Sequence, residues 1–417
     1  MEANNTRSAA LLLLPPIPHP PSFAALKAAY NAPLLTCLRA VGHSTEPARP
    51  RILDIALPCP HLYGPSKATR ESLYALTQTV VANIYKLLCI ISAREGFNVE
   101  SVDGIDVRII LLAYSRDGKT SRGSGSRVED QLEGPVVELG SLAQCHKRWS
   151  IVYSVESEQG EELLKRFMSI AKANCLVQRL RGGIVQVSQI HGDDDHAATA
   201  QTKYHKHVAV GGTFDHLHIG HKLLLTMVAF TVDPPMATEE NKAVITVGIT
   251  AEDLLKNKKY AEFLEDWHDR YQSVHNFLHG ILSFDPGNDH PESVREIRNP
   301  GPNGHAVLVQ YPSGLLIRYV EIWDPFGPTI TDEDIDALII SAETRAGGKA
   351  VNEKRQDQSW KELDVFEVDV LDADEQEEEA AGTKAQVEGV QEAFQNKLSS
   401  TEIRKMQAQR SQGRSKV

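Results

Sequence analysis

Val208-Ala209-Val210-Gly211-Gly212-Thr213-Phe214-Asp215-His216-Leu217-His218-Ile219-Gly220-His221 is the stretch that decides the fold. Its apolar opening reads as a buried strand that runs into two glycines, crosses a short loop and starts a helix near Gly220. Glycine removes the Cβ that would hold a ligand away from the backbone. A helix start offers unpaired N–H groups and a partial positive charge, which suits phosphate. His218 and His221 stand three residues apart at that start, so both can face one anion. One histidine here reads as a cap or a core residue. Two histidines and a threonine, framed by glycines at a strand-to-helix turn, form a more specific pattern than a lone glycine-rich loop.

Downstream of this stretch, strands and helices alternate. After the strand Val208–Gly211 and the helix Gly220–Phe230, strands are expected at Ala243–Ile249, Leu315–Ile322, Ala337–Ser341 and Leu363–Val370. Helices are expected after Thr250, which with Asp253 forms a capping-box arrangement, and at Glu262–Leu282, Thr331–Asp336, Gly348–Gln356 and Gln386–Gln395. The alternation predicts an α/β fold, a Rossmann-like doubly wound parallel sheet in the C-terminal half. Ligands of such sheets bind at the carboxyl ends of the strands, where the strand order switches. Asp285–Gly314, rich in Pro, Gly and Asn, reads as a surface insertion. The acidic run Asp372–Glu379, within a loop over 372–382, reads as solvated, and the basic tail 407–417 as disordered.

Upstream, residues 191–206 turn polar and read as a linker. His191 and His196 flank Asp193, Asp194 and Asp195 there, but no regular spacing places them on one face, so no metal site is expected. Residues 25–190 read as a separate mixed α/β domain without an assigned role, with strands at Arg51–Leu57, Val107–Ala113 and Trp149–Val155 and helices at Thr69–Ala93 and Gly160–Ala173. Asp117-Gly118-Lys119-Thr120, in the loop Ser115–Asp130, lacks the earlier glycine of a P-loop, whose place Ala113 takes. Residues 1–24 are proline-rich and read as irregular. At 417 residues, two domains are the natural division.

The formal charge of −12 argues against a general nucleic-acid binder, which needs basic patches to neutralise phosphates. Five scattered cysteines without a CxxC spacing read as free thiols of a reducing compartment. No stretch reads as a membrane span of about 20 apolar residues. Ala9–Leu14 is cut short by Pro15 and Pro16, and Ser415-Lys416-Val417 ends in the wrong residue for a peroxisomal address. A cytoplasmic protein is expected.

The stretch 208–221 resembles the HIGH-motif nucleotidyltransferase superfamily, which includes adenylyltransferases, cytidylyltransferases and class I aminoacyl-tRNA synthetases. Thr250-Ala251-Glu252-Asp253-Leu254-Leu255-Lys256-Asn257-Lys258 resembles the lysine-bearing segment of eukaryotic phosphopantetheine adenylyltransferases of the fungal, monofunctional type. Trp323–Thr329, then Ser341–Gly348 with Asn352 and Arg355, and finally Leu398–Arg404 resemble further segments of that family, in the family's order and over residues 206–406.

The resemblance implies transfer of AMP from ATP to 4′-phosphopantetheine, giving dephospho-coenzyme A and pyrophosphate. His221 would hold the α-phosphate with the amides around Gly220, and His218 would lie beside it. Gly211, Gly212 and Phe214 would line the nucleotide loop. Thr213 and Lys256 would position the attacking phosphate, with Lys258 competing for the lysine's role. Ser399, Ser400, Thr401 and Arg404 would start a late helix that grips the β- and γ-phosphates. Arg345 would contact the acceptor and Arg355 the nucleotide. Mg²⁺ would enter with ATP, held by phosphate oxygens and not by a protein cage. Asp215 reads as a loop-stabilising residue, and Asp324 as a former of the turn before Pro325 in preference to a contact for the pantetheine arm. His268, His275 and His279 read as facing solvent or neighbouring side chains. The chain ends soon after the serine-rich segment, so no dephospho-coenzyme A kinase step is expected.

A cytidylyltransferase also uses GTFD followed by HxGH, but its later arginine and GIST-type turn do not match Leu398–Arg404. A non-catalytic scaffold is the alternative of another class. For residues 1–190 it takes the form of a docking domain for other enzymes of coenzyme A synthesis.

Overall fold

The computed structural model describes residues 9–42, 51–63, 69–99, 104–115, 134–172, 175–183, 203–234, 243–286, 291–369, 371 and 399–414. The acidic run after Asp372, the helix expected at Gln386–Gln395, Leu398, most of the loop Ser115–Asp130 and most of the 191–206 linker lie outside the described residues. The chain divides into two compact units, Met1–Tyr204 with Ile281–Asp289 and His205–Gly280 with His290–Val417.

The first unit is built on β1 (Ala9–Leu13), β2 (Arg51–Cys59), β3 (Ile105–Ala113), β4 (Val136–Glu138), β5 (Ile151–Glu156) and β6 (Val177–Arg181). Its helices are α1 (Phe23–Gly42), α2 (Arg70–Glu95), α3 (Leu139–Gln144) and α4 (Glu158–Ala171). The sheet order is β4-β3-β2-β1-β5-β6, and every pairing is parallel. The chain winds outward from β1 to β4, then returns to β1's other side for β5 and β6. The irregular N-terminus expected over 1–24 is corrected here, because Ala9–Leu13 is a central strand with every residue buried. Five apolar residues just ahead of Pro15 and Pro16 are enough for a strand buried on both faces, and too few to show a period.

Thr69 caps α2 by accepting the Ser72 amide, and Gly96 ends it in the left-handed conformation at φ 73°. α2 is long and apolar enough to cross a membrane by length and composition, a feature missed in the sequence. Yet 78% of its most apolar 18-residue window is buried, which is the signature of a core helix. The described cysteines form no disulfide, and Cys37, Cys59, Cys89 and Cys145 are buried.

The second unit holds β7 (His207–Gly212), β8 (Val244–Thr250), β9 (Ser293–Arg298), β10 (His305–Gln310), β11 (Leu316–Ile322), β12 (Ala337–Ser341) and β13 (Asp364–Val368). Its helices are α5 (Ile219–Thr231), α6 (Trp267–Leu282, to Gly280 in this unit), α7 (Arg345–Asp357) and α8 (Ser400–Arg414). The order is β13-β12-β7-β8-β11-β10-β9, parallel from β13 to β11 and antiparallel across β11-β10-β9. This sheet is therefore Rossmann-like in its parallel part but mixed, while the fully parallel sheet lies in the first unit.

The segment Asp285–Gly314 supplies β9 and β10, an antiparallel extension of the sheet. Its Asn299–Gly304 and Pro312–Gly314 runs mark the turns between strands, including Asn303 at φ 58° and Gly301 at φ 97°. Thr331–Asp336 forms no helix; a 3₁₀ turn at Gly327–Ile330 precedes it. The basic tail is helical through Arg414 as part of α8. From β7 the chain moves through α5 to β8 on one side, while β12 and β13 lie on the other. The carboxyl ends of β7 and β12 thus flank the switch in strand order, where ligands bind in open α/β sheets.

His207, whose Nε2 lies 2.8 Å from the Thr246 hydroxyl, and His275 are buried, and burial lowers each imidazole to about 4. In the unfolded chain a histidine takes up its proton near pH 6.5. Between about pH 6.5 and 4 the unfolded state then binds more protons than the native state. Stability is expected to fall with pH through that window, by up to about 1.4 kcal/mol per pH unit for each histidine. Urea midpoints at pH 7 and pH 5 check this: the gap should narrow in His207→Gln, and an unchanged gap would refute the histidine's share.

Candidate active site

β7 ends in Gly211 and Gly212, and the loop from Thr213 to Leu217 delivers the chain to α5 with His218 as its N-cap residue. His218 has extended dihedrals and makes no side-chain cap bond, so the helix start keeps its amides for another acceptor. The His218 and His221 rings stack with centroids 3.8 Å apart and 20° between planes, and Phe214 lies 5.5 Å from His221. A Cβ on Gly220 would come within 3.2 Å of the His218 imidazole, and one on Gly212 within 3.0 Å of the Phe214 ring. These two glycines leave the room in which the aromatic groups sit.

Both imidazoles are held neutral near pH 7. Burial lowers His218 well below its ordinary value, and His221, Lys222 and His216 lower it further. Burial takes His221 down to about 4, partly opposed by the charge of Asp215. Nδ1 of each ring is buried without a hydrogen-bond partner. A buried orphan N–H is rarer than a buried orphan acceptor. The favoured tautomer therefore carries its proton on Nε2, leaving that N–H as the donor for a ligand.

Phe214 (φ 53°) and His216 (φ 47°) are non-glycine residues in the left-handed region, a conformation that persists only where neighbours enforce it. Asp215 lies between them, fully buried. Its Oδ1 accepts the Glu265 amide at 3.0 Å, its Oδ2 pairs with the Arg404 guanidinium, and its carbonyl accepts the Ser400 hydroxyl at 2.8 Å. The His216 amide donates to Glu265 Oε2 at 2.7 Å, and its Nε2 lies 2.8 Å from the Phe263 carbonyl. Arg270, fully buried on α6, donates from Nη1 to the carbonyls of Thr213 and Thr250, each at 2.9 Å. The Thr250 hydroxyl donates to the Gly212 carbonyl at 3.1 Å.

Thr250 thus does not cap a helix. The segment after it is a single 3₁₀ turn, Glu252–Leu255, whose cap residue is Ala251, and the Thr250 hydroxyl faces the neighbouring strand instead. Glu265 and Arg270 were missed in the sequence. The signal for Arg270 was available: it occupies the buried stripe of α6 with Trp267, Val274 and Ile281, where a guanidinium needs internal acceptors.

The other residues singled out in the sequence divide into three groups. Ser399, Ser400, Thr401 and Arg404 come to the loop. The Ser399 hydroxyl accepts the Glu402 amide at 3.4 Å as an N-cap, and Arg404 reaches Thr401 Oγ1 at 3.2 Å and the Lys259 carbonyl at 3.1 Å. Lys256 and Lys258 are exposed, and Lys256 Nζ lies 2.6 Å from Asp253. Arg345 and Arg355 are engaged elsewhere. Exposed Arg345 pairs with Glu367 on β13, Nε to Oε2 at 2.6 Å.

Arg355, 1% exposed, donates to the carbonyls of Thr329, Asp332, Glu333, Ile335 and Lys361. The nucleotide contact expected of Arg355 is replaced by this backbone role: it closes the connection between β11 and β12. Asp324 accepts the amides of Phe326 and Gly327 at 2.8 Å each and shapes the turn there.

Arg404→Ala would leave the Asp215 carboxylate buried and unpaired, and is expected to cost about 3–5 kcal/mol in chemical denaturation. Arg355→Ala is expected to lower the denaturation midpoint clearly, and Arg345→Ala to leave it unchanged. A well-folded Arg355→Ala protein with weakened nucleotide binding would return Arg355 to the site.

Residues 1–189 match a family described as Domain of unknown function (DUF8446). An uncharacterized protein of Schizosaccharomyces pombe is 33% identical over 56% of this chain and 60% of its own length. A phosphopantetheine adenylyltransferase of Saccharomyces cerevisiae is 30% identical over 49% of each chain. One from Pyrococcus furiosus is 27% identical over 40% of this chain and 80% of its own. A solved structure of a protein of unknown function from Archaeoglobus fulgidus is 23% identical, covers 39% of this chain and 89% of its own, and has a TM-score of 0.26. The chain thus spans between half and three-fifths of the length of the two yeast relatives. Over part of its length it is distantly similar to phosphopantetheine adenylyltransferases, a relationship at the level of nucleotidyltransferases.

Proposed function

We propose that the second unit transfers AMP from ATP to 4′-phosphopantetheine, giving dephospho-coenzyme A and pyrophosphate. The observation that carries this reading is the stacked, neutral His218–His221 pair at the start of α5, at the switch in strand order. The similarity to phosphopantetheine adenylyltransferases supports the choice of substrates.

The acceptor's phosphate oxygen attacks the α-phosphorus, the bond from that phosphorus to the bridging oxygen breaks, and pyrophosphate departs with the electron pair. A phosphate is already nucleophilic at neutral pH, so no side chain has to remove a proton. What the chain supplies is orientation and fixed dipoles where charge builds on the α-phosphate. His221 and the first amides of α5 hold the α-phosphate, with His218 beside them. Thr213 and a lysine of the exposed segment, Lys256 or Lys258, position the attacking group. To act there, Lys256 exchanges Asp253 for the phosphate.

Mg²⁺ enters as part of the nucleotide substrate. The carboxylates nearest the loop are committed, Asp215 to Arg404 and the Glu265 amide, and Glu265 to the His216 amide. They fit an ion held by phosphate oxygens better than one held by a protein cage.

Pyrophosphate release from ATP and Mg²⁺ in the presence of 4′-phosphopantetheine is the expected activity of the purified chain. His221→Ala should reduce turnover by about 10²–10³-fold with an unchanged denaturation midpoint. Release only with CTP and phosphocholine would move the protein to the cytidylyltransferases, and silence with both pairs would overturn the transferase reading.

A further inference from the structure

A second cluster of donor side chains lies away from the loop. His275 and His279 are one turn apart on α6, and Glu292 immediately precedes β9. One ligand atom from each lies within 4.8 Å of the other two. His279 Nδ1 is 3.5 Å from Glu292 Oε1, close to the separation of two ligands on one small metal ion. Tyrosine hydroxyls orient both rings: Tyr319 lies 3.3 Å from His275 Nδ1, and Tyr311 lies 3.4 Å from His279 Nδ1.

We propose that His275, His279 and Glu292 bind a divalent transition-metal ion of the zinc class, which ties the chain ahead of β9 to α6. Two imidazoles at i and i+4 with one carboxylate are a donor set suited to that ion and poorly suited to Mg²⁺, which prefers oxygen ligands. A single ion pair would account for His279 and Glu292, yet the buried His275 adds a second imidazole that an ion pair does not require. His279 and Glu292 are part-exposed, so an ion reaches the cluster from solvent.

The other group of metal-type donors, Asp215, His216 and Glu265, is already engaged within the loop. Its carboxylates already accept backbone amides and pair with Arg404.

The test uses the full chain, stripped of metal by a chelator and titrated with Co²⁺ as a spectroscopic stand-in for Zn²⁺. The expected result is one equivalent bound, with the visible absorption of a four-coordinate site. That signal should survive His221→Ala and vanish in His279→Ala. Glu292→Gln should weaken binding by at least the roughly tenfold that even an outer-shell partner costs. Zn²⁺ should raise the melting temperature of the parent protein but not of His279→Ala, since an ion that binds only the native state stabilises it. Absence of the absorption, or its persistence in His279→Ala, would overturn the proposal and leave these histidines as part of the aromatic packing along α6. Because His221→Ala is included, the outcome does not depend on the transferase reading.

Discussion

A carboxylate taken out of water must be matched by a buried partner, and the second unit is organised around one such group. Asp215 is fully buried at the tip of the loop after β7, between two residues in left-handed conformations. Its partner is Arg404, 189 positions later in the chain. Leaving either charge alone would cost several kcal/mol, so the loop and α8 are stable in this form together. The same guanidinium reaches Lys259, and Asp215 also takes the Glu265 amide. One ion pair thus joins the glycine loop, the segment after β8 and the last helix. The positions of Phe214 and His216 follow from it.

What could be read from the residues alone depended on whether their signal was local. The strand-to-helix turn at 208–221 was legible because glycine, apolar run and helix start all lie within fourteen residues. The alternation after it gave β8, β11, β12 and β13 to within a residue or two. β9 was not legible: Ser-Val-Arg-Glu-Ile-Arg is largely exposed, and the turn residues around it describe an insertion as readily as a hairpin. Charge was the other source of error. Arg355 and Arg404 could be recognised as important, but composition cannot say whether a guanidinium faces a ligand or the backbone. Arg355 is satisfied by five carbonyls away from the loop, whereas Arg404 pairs with Asp215 within it.

The first unit shows how similar topology can carry opposite chemistry. Its sheet also reverses direction at its first strand, with β2 on one side of β1 and β5 on the other. After β1, however, the chain reads Leu14-Pro15-Pro16-Ile17-Pro18, all buried, where after β7 it reads Thr213-Phe214-Asp215. Proline has no N–H to donate. The Pro15 carbonyl is taken by the Tyr30 hydroxyl at 2.8 Å. A backbone cradle for phosphate cannot form on that connection, so the switch point of the first unit is a packed core.

On the proposed reading, the stacked histidines set how an anion is received in the second unit. Two imidazolium ions 3.8 Å apart would repel strongly, and burial already disfavours the first proton. The pair therefore offers N–H dipoles without net charge, alongside the unpaired amides of α5. Such donors discriminate by geometry, because their pull falls away faster with distance than that of a charge. Positive charge is supplied separately, by Lys256, Lys258 and Lys259, all of them exposed. On the proposed reading, exposed charge draws an anionic substrate in across a protein of net −12, and buried dipoles align the phosphate once water has been displaced. A lysine in place of either histidine would bring the stronger charge to the wrong layer, where the desolvation that keeps the imidazoles neutral would oppose it.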